Sequence, residues 1–226
     1  AKTKLKFGNL TLDAVVSQQK SESSSVTVQG GAQMDEFNFK ADQYDANRHF
    51  FISQYFYDNY NNAMSTLPII NSNIVITKIE VWRTNVGAAV TNNRNIVAFS
   101  DLGEAKPYGQ NPSIERPGAG ALPDQNLSNR LLDVVDVNSL RNINTISSYL
   151  QGMGFVSGQN YEKVESARKL SSNEYTFNPK LGFISLTTPL SADQVLAVAF
   201  RYQIVGDTAT YQVGEFSDEG VSDPNT

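Results

Sequence analysis

The stretch Val195-Leu196-Ala197-Val198-Ala199-Phe200-Arg201-Tyr202-Gln203-Ile204-Val205 decides the class of fold. Leu196, Val198, Phe200, Tyr202 and Ile204 share one parity, and Ala197, Ala199, Arg201 and Gln203 share the other. Side chains alternate across a strand, so this pattern gives one bulky apolar face and one small or polar face. A helical period would scatter the same residues around the axis. Working outward, Phe183 to Leu186 is a second strand, with Pro189 and Ser191-Ala192-Asp193 as the turn between the two. Ile74 to Arg83 is rich in β-branched residues and carries the only tryptophan, Trp82. Asn95 to Ser100 is a shorter strand.

Near the start, Leu10, Leu12, Ala14 and Val16 alternate with Thr11, Asp13 and Val15. Val26-Thr27-Val28 offers a return strand for a hairpin, or the polar run before it is a long loop. Phe37-Asn38-Phe39 alternates again. Two segments have helical spacing. Phe56, Tyr60, Ala63 or Met64, and Leu67 predict a helix near 55–66, stopped by Pro68. Leu140, Ile143, Ser147 and Leu150 predict another, capped by Asn138 or Ser139 and closed at Gly152. Leu131 to Val137 is a short strand or a helix start, and the acidic tail after Phe216 is expected to fray. Pro107, Pro112, Pro117 and Pro123 mark Gly103 to Asp124 as an irregular crossover. The expected fold is a β-rich α+β unit. Two antiparallel sheets pack as a sandwich or jelly-roll-like arrangement with about two peripheral helices. The chain, 1–226, is read as one module excised from a larger protein, with a possible subdomain boundary in the 104–125 loop.

Composition narrows the chemistry. Net charge is −5, and the 18 Lys and Arg residues do not cluster, which gives no support to nucleic-acid binding. Without cysteine there is no disulfide, thiol nucleophile or thiolate metal site. No apolar run is long enough for a membrane-spanning helix. The sole histidine, His49, would have to carry any Ser-His-Asp chemistry alone, and no Gly-x-Ser-x-Gly elbow accompanies it. Gly152-Met153-Gly154 has neither the preceding strand nor the Lys-Ser or Lys-Thr of a phosphate loop. Asp42, Asp45 and Asn47, or Asp218, Glu219 and Asp223, supply oxygens for calcium but match no defined ligand spacing. No catalytic residue, metal or cofactor is therefore expected. Aromatic rings suggest one binding surface, Tyr44, Tyr57 and Trp82, which would stack on the apolar face of a sugar. The competing reading places these rings in the core.

Several runs, in order, resemble the SprA/Sov family. They include Ala41-Asp42-Gln43-Tyr44-Asp45-Ala46-Asn47-Arg48-His49-Phe50-Phe51, Leu67-Pro68-Ile69-Ile70-Asn71-Ser72 and Ile79-Glu80-Val81-Trp82-Arg83-Thr84-Asn85. Leu181-Gly182-Phe183-Ile184-Ser185-Leu186 and Tyr211-Gln212-Val213-Gly214-Glu215-Phe216 continue the likeness. The resemblance implies an outer-membrane translocon of Bacteroidetes serving type IX secretion and gliding motility. This segment would be a non-catalytic, soluble interaction module of it. Implied partners are secreted cargo proteins, accessory secretion subunits and the rest of the parent barrel, with the extracellular side expected. The family transfers no site residues. The alternative function is a cell-surface carbohydrate-binding β-sandwich.

Overall fold

A computed structural model describes residues 2–7, 10–15, 45–87, 93–105, 113–116 and 125–219. The chain forms two compact units, Ala1–Gln43 and Tyr44–Thr226. In the first, β1 (Lys2–Phe7) pairs antiparallel with β2 (Leu10–Val15), setting Leu5 opposite Leu12 and Phe7 opposite Leu10. The partner of the Leu10 strand is therefore the preceding segment. Val26–Val28 and Phe37–Phe39 lie outside the described residues.

The second unit is a β-rich α+β sandwich of two antiparallel sheets. Its strands are β3 (His49–Phe51), β4 (Ile74–Arg83), β5 (Asn93–Phe99), β6 (Tyr161–Lys169), β7 (Tyr175–Asn178), β8 (Phe183–Leu186), β9 (Leu196–Ile204) and β10 (Thr210–Val213). One sheet has the order β10-β9-β4-β6-β5 and the other β3-β8-β7. Since β4 and β5 precede the 104–125 stretch and β6 and β9 follow it, one sheet draws on both sides of that loop. At the base of the loop Gln125 N–H donates to the Gly103 carbonyl at 3.1 Å.

β9 sits second in the large sheet, and its bulky face meets the small sheet. Phe200 and Tyr202 join Ile184 and Leu186 of β8 in the main core, together with Ile74, Ile76 and Val81 of β4. β4 reaches that core with a change of parity, because a bulge between Ile76 and Lys78 sets an extra residue against β9. Ile74 and Ile76 point inward before it, Ile79 and Val81 after it. Glu80 and Trp82 are thereby sent to the opposite face. The Pro189–Asp193 segment does not make a hairpin. It carries the chain from β8 in one sheet to β9 in the other.

Among the described residues there are four helices, of which two run to seven residues or more, in keeping with the expected pair, and two are single turns. α1 (Gln54–Ala63) buries Phe56 and Ala63, and it ends before Leu67, which is exposed. Leu131 to Val137 opens as a helix, α2 (Leu131–Val134). The second expected helix is split into α3 (Val137–Leu140) and α4 (Ile146–Gly152). The cap of α3 is Asp136, whose carboxylate accepts from the N–H groups of Asn138 and Ser139. Asn142 breaks the run, because its side-chain oxygen accepts Asn144 N–H at 3.1 Å and competes with the helical ladder. Left-handed closure falls at Gly154 (φ 85°), not Gly152, and Phe155 N–H reaches back to the Leu150 carbonyl. These helices close a second core with Ile114, Phe155 and Tyr161 over the β5–β6 ribbon.

Candidate functional site

Of the rings expected to form one platform, Tyr57 and Trp82 stand in different surroundings. Tyr44 lies outside the described residues. Tyr57 is 62% exposed on α1, edge-on to Phe51 at 5.6 Å between ring centres. Trp82 is only 7% exposed and packs on Val164 and Ala167. The bulge in β4 explains the burial: it turns Trp82 onto the outer face of the large sheet, where β6 and Ala197 cover it. Trp82 therefore offers no free stacking face. As the sole tryptophan it should emit to the blue of free indole and resist acrylamide quenching until the protein unfolds. Ready quenching in the native state would contradict this packing.

His49 Nδ1 lies 2.8 Å from Ser185 Oγ, and its Nε2 lies 3.4 Å from an Asp45 oxygen. The three groups stand in series, His49 on β3, Ser185 on β8 and Asp45 in the segment before β3. Ser185 is in the middle of a strand, and neither cavity found among the described residues includes any of the three. Asp45 is also 3.1 Å from Arg48 Nε. Asp218 and Glu219 are taken up by ion pairs to Lys78 and Arg201, which tie this part of the tail to β4 and β9. Residues 220–226 lie outside the described residues. Among the described residues no group of three or more acidic or histidine side chains is placed to hold a metal ion.

The tail after β10 builds the most elaborate polar site. Phe216 is buried beneath Lys78, whose ammonium lies 4.1 Å from the ring centre, and Ser217 follows it. Ser217 N–H donates to Glu80 at 3.0 Å and Ser217 Oγ at 2.9 Å, while Lys169 and Trp82 Nε1 donate to the same carboxylate. Burial pushes the Glu80 carboxyl up, but the bonds from Lys169 and Ser217, with the charge of Lys169, together outweigh it and hold it below its ordinary value. Next to Lys169 on β6, Arg168 grips Glu174 with two bonds of 2.7 and 2.9 Å. These, aided by Ser171, hold the Glu174 carboxyl near a pKa of about 2.

Both carboxylates bind a proton less readily when folded than when unfolded. Their stabilisation is therefore complete above the unfolded value of 4.5 and is lost as the pH falls through the folded values, toward about 2 for Glu174. The melting temperature should be insensitive to these two groups from pH 8 to about 5 and should fall below about pH 4.5. In Glu174→Gln the acid-side fall should be shallower. An unchanged acid limb in thermal melts of that variant would remove this assignment.

Beside this tail lies a groove of about 850 Å³. Its walls come from β3, β5, β9, the α2–α3 region and the Val213–Ser217 tail. Phe50, Trp82, Ile96, Leu140, Leu196 and Val198 give it an apolar lining, with Arg94 and Arg141 among its charges. Arg141 is already paired with Glu215 at 2.8 Å. Sequence reasoning missed the groove because its walls meet only through the curl of the sheet. The available signal was Ala197 and Ala199, two small residues on an otherwise bulky strand.

No helix among the described residues is long and apolar enough to cross a membrane. No curated protein matches the chain. A family model, SprA_N, described as motility related/secretion protein, matches residues 1–193. That match spans both units and runs through β3, β4 and β5 to the connection before β9. The chain belongs to this motility-related and secretion family.

Proposed function

We propose that the chain is a non-catalytic structural and interaction module of an outer-membrane translocon that serves type IX secretion and gliding motility. Family membership supports the secretion role, and the observation that carries the interaction role is the apolar groove between β5 and β9. A stretch of unfilled apolar surface on this scale marks a place where another molecule docks. Secreted cargo or an accessory secretion subunit would occupy it, and the rest of the parent barrel would hold the module on the extracellular side. The Asp45–His49–Ser185 series is read as a surface polar network, since Asp45 and His49 are exposed and Asp45 is shared with Arg48.

The test is site-specific photo-crosslinking from Leu196 in the parent protein, in cells that carry the secretion machinery. Cargo or secretion subunits should be recovered, and recovery of none would count heavily against the reading. Hydrolysis of activated esters should be the same in His49→Ala as in the unaltered chain. A loss of turnover in that variant would revive an enzymatic role.

A further inference from the structure

The walls of the groove are strand edges. Its lining runs through consecutive residues, Arg94–Ser100 on one side and Leu196–Phe200 on the other. A strand that shows only a face to a cavity contributes every second residue, because side chains alternate. Consecutive lining places the cavity along the edge, where backbone N–H and C=O groups point. Strand pairing agrees. Among the described residues β5 ends the sheet and pairs only with β6. β10 reaches β9 only from Phe200 to Gln203, and Gly214 then packs against Ala199, which leaves Leu196–Val198 with β4 alone beside them among the described residues. No further backbone bond joins Arg94–Phe99 or Leu196–Ala199 to another segment among the described residues. Burial follows the same division. All of β5 is half-buried, and β9 is half-buried from Leu196 to Val198 but buried at Ala199, Phe200 and Tyr202.

We propose that this groove binds an extended peptide strand of a partner polypeptide, which pairs through its backbone with the free edges of β5 and β9. The inference deepens the reading of the chain as an interaction module and rests on it. Unpaired strand edges demand an occupant that repeats N–H and C=O groups at strand spacing. A helix has spent those groups on itself, and a small molecule does not repeat them. A second copy brings edges already built into sheets, whereas the groove takes a single strand. The occupant's side chains are apolar, to match Ile96, Leu196 and Val198. It carries a carboxylate toward the start of β5, because Arg94 has no anionic partner among the described residues.

The 226-residue chain is titrated with an end-blocked peptide of about eight residues, a length suited to these edges. The peptide alternates valine and threonine and has one terminal glutamate. Two relatives accompany it, one N-methylated at alternate amides and one with lysine in place of the glutamate. Trp82 fluorescence should change saturably, and amide hydrogen exchange should slow in both Arg94–Phe99 and Leu196–Val198. N-methylation should weaken binding by about tenfold or more, since it removes several backbone bonds. The lysine peptide should also bind more weakly. Equal binding of the N-methylated peptide, protection confined to other segments, or no protection at millimolar peptide would each overturn the proposal. So would sedimentation showing that the same protection arises in a dimer of the chain without peptide. Strand binding without crosslinked secretion components would sink the translocon reading alone. Crosslinks without backbone protection would sink the strand reading alone.

Discussion

Gly182→Ala should lower folding stability by about 3 kcal/mol or more, the largest effect expected of so small a change. Gly182 closes the loop between β7 and β8 at φ 61°, a left-handed conformation that strains any residue with a Cβ. A Cβ there would lie 2.0 Å from Phe56 Cγ. Phe56 is buried in the main core, edge-on to Phe200 at 6.3 Å, and cannot move aside without disturbing both sheets. Ile52 N–H donates to the Gly182 carbonyl at 3.0 Å, so the loop cannot withdraw without breaking the entry to α1. For a unit of this size the loss corresponds to a fall in melting temperature of about 6–12 °C. Gly154→Ala and Gly206→Ala are the controls. Both glycines have positive φ, at 85° and 90°, with nothing within 4 Å of a built Cβ. Each should cost only about 1 kcal/mol, the backbone contribution. Three equal losses in urea unfolding would show that contact with Phe56 is not the cause. In a Phe56→Ala background the Gly182→Ala increment should shrink toward the controls.

Glu80→Ala should be the next largest, costing about 3 kcal/mol. Glu80 is 3% exposed, and its two oxygens take bonds from Lys169, Trp82 and both donors of Ser217. Removing the carboxylate leaves the Ser217 N–H and Trp82 Nε1 without this acceptor in a dry place. Lys169, at 38% exposure, can turn to water, which limits the loss from the ammonium itself. The effect should also be local. The tail Gly214–Glu219 is held to the sheet by Ser217, by Phe216 and by the Lys78–Asp218 pair. Hydrogen exchange in that tail should quicken in Glu80→Ala more than in β8, and uniform quickening would assign Glu80 to the general core.

The strands that could be read directly were those marked by a run of alternating apolar or β-branched residues: Leu10–Val15, Ile74–Arg83, Asn93–Phe99, Phe183–Leu186 and Leu196–Ile204. Tyr161–Lys169 escaped because Glu162, Lys163, Glu165, Arg168 and Lys169 occupy most of it, leaving only Tyr161, Val164 and Ala167 buried. Those three do not keep period two, because β6 itself is bulged where Glu165 and Ser166, the latter at φ 56°, face Asn95 of β5. β7 and β10 are four residues each, too short for a period to show. The second helix looked continuous because Leu140, Ile143, Ser147 and Leu150 keep helical spacing. The local claim of Asn142 on the backbone broke it.

The sequence by itself determined the class of fold, the inward face of β9, the first helix and the family. Each depends on side chains near in sequence or on the order of short runs, which a linear reading can see. Only the tertiary structure decided which residues become a site. The bulge in β4 moved Trp82 and Glu80 to the outer face, and the tail returned across β9 to bind that carboxylate. The curl of the sheet brought two unpaired edges, about a hundred residues apart in the chain, to one groove. Backbone pairing and burial are satisfied over the whole chain at once, so the register of one strand sets what a distant segment can reach.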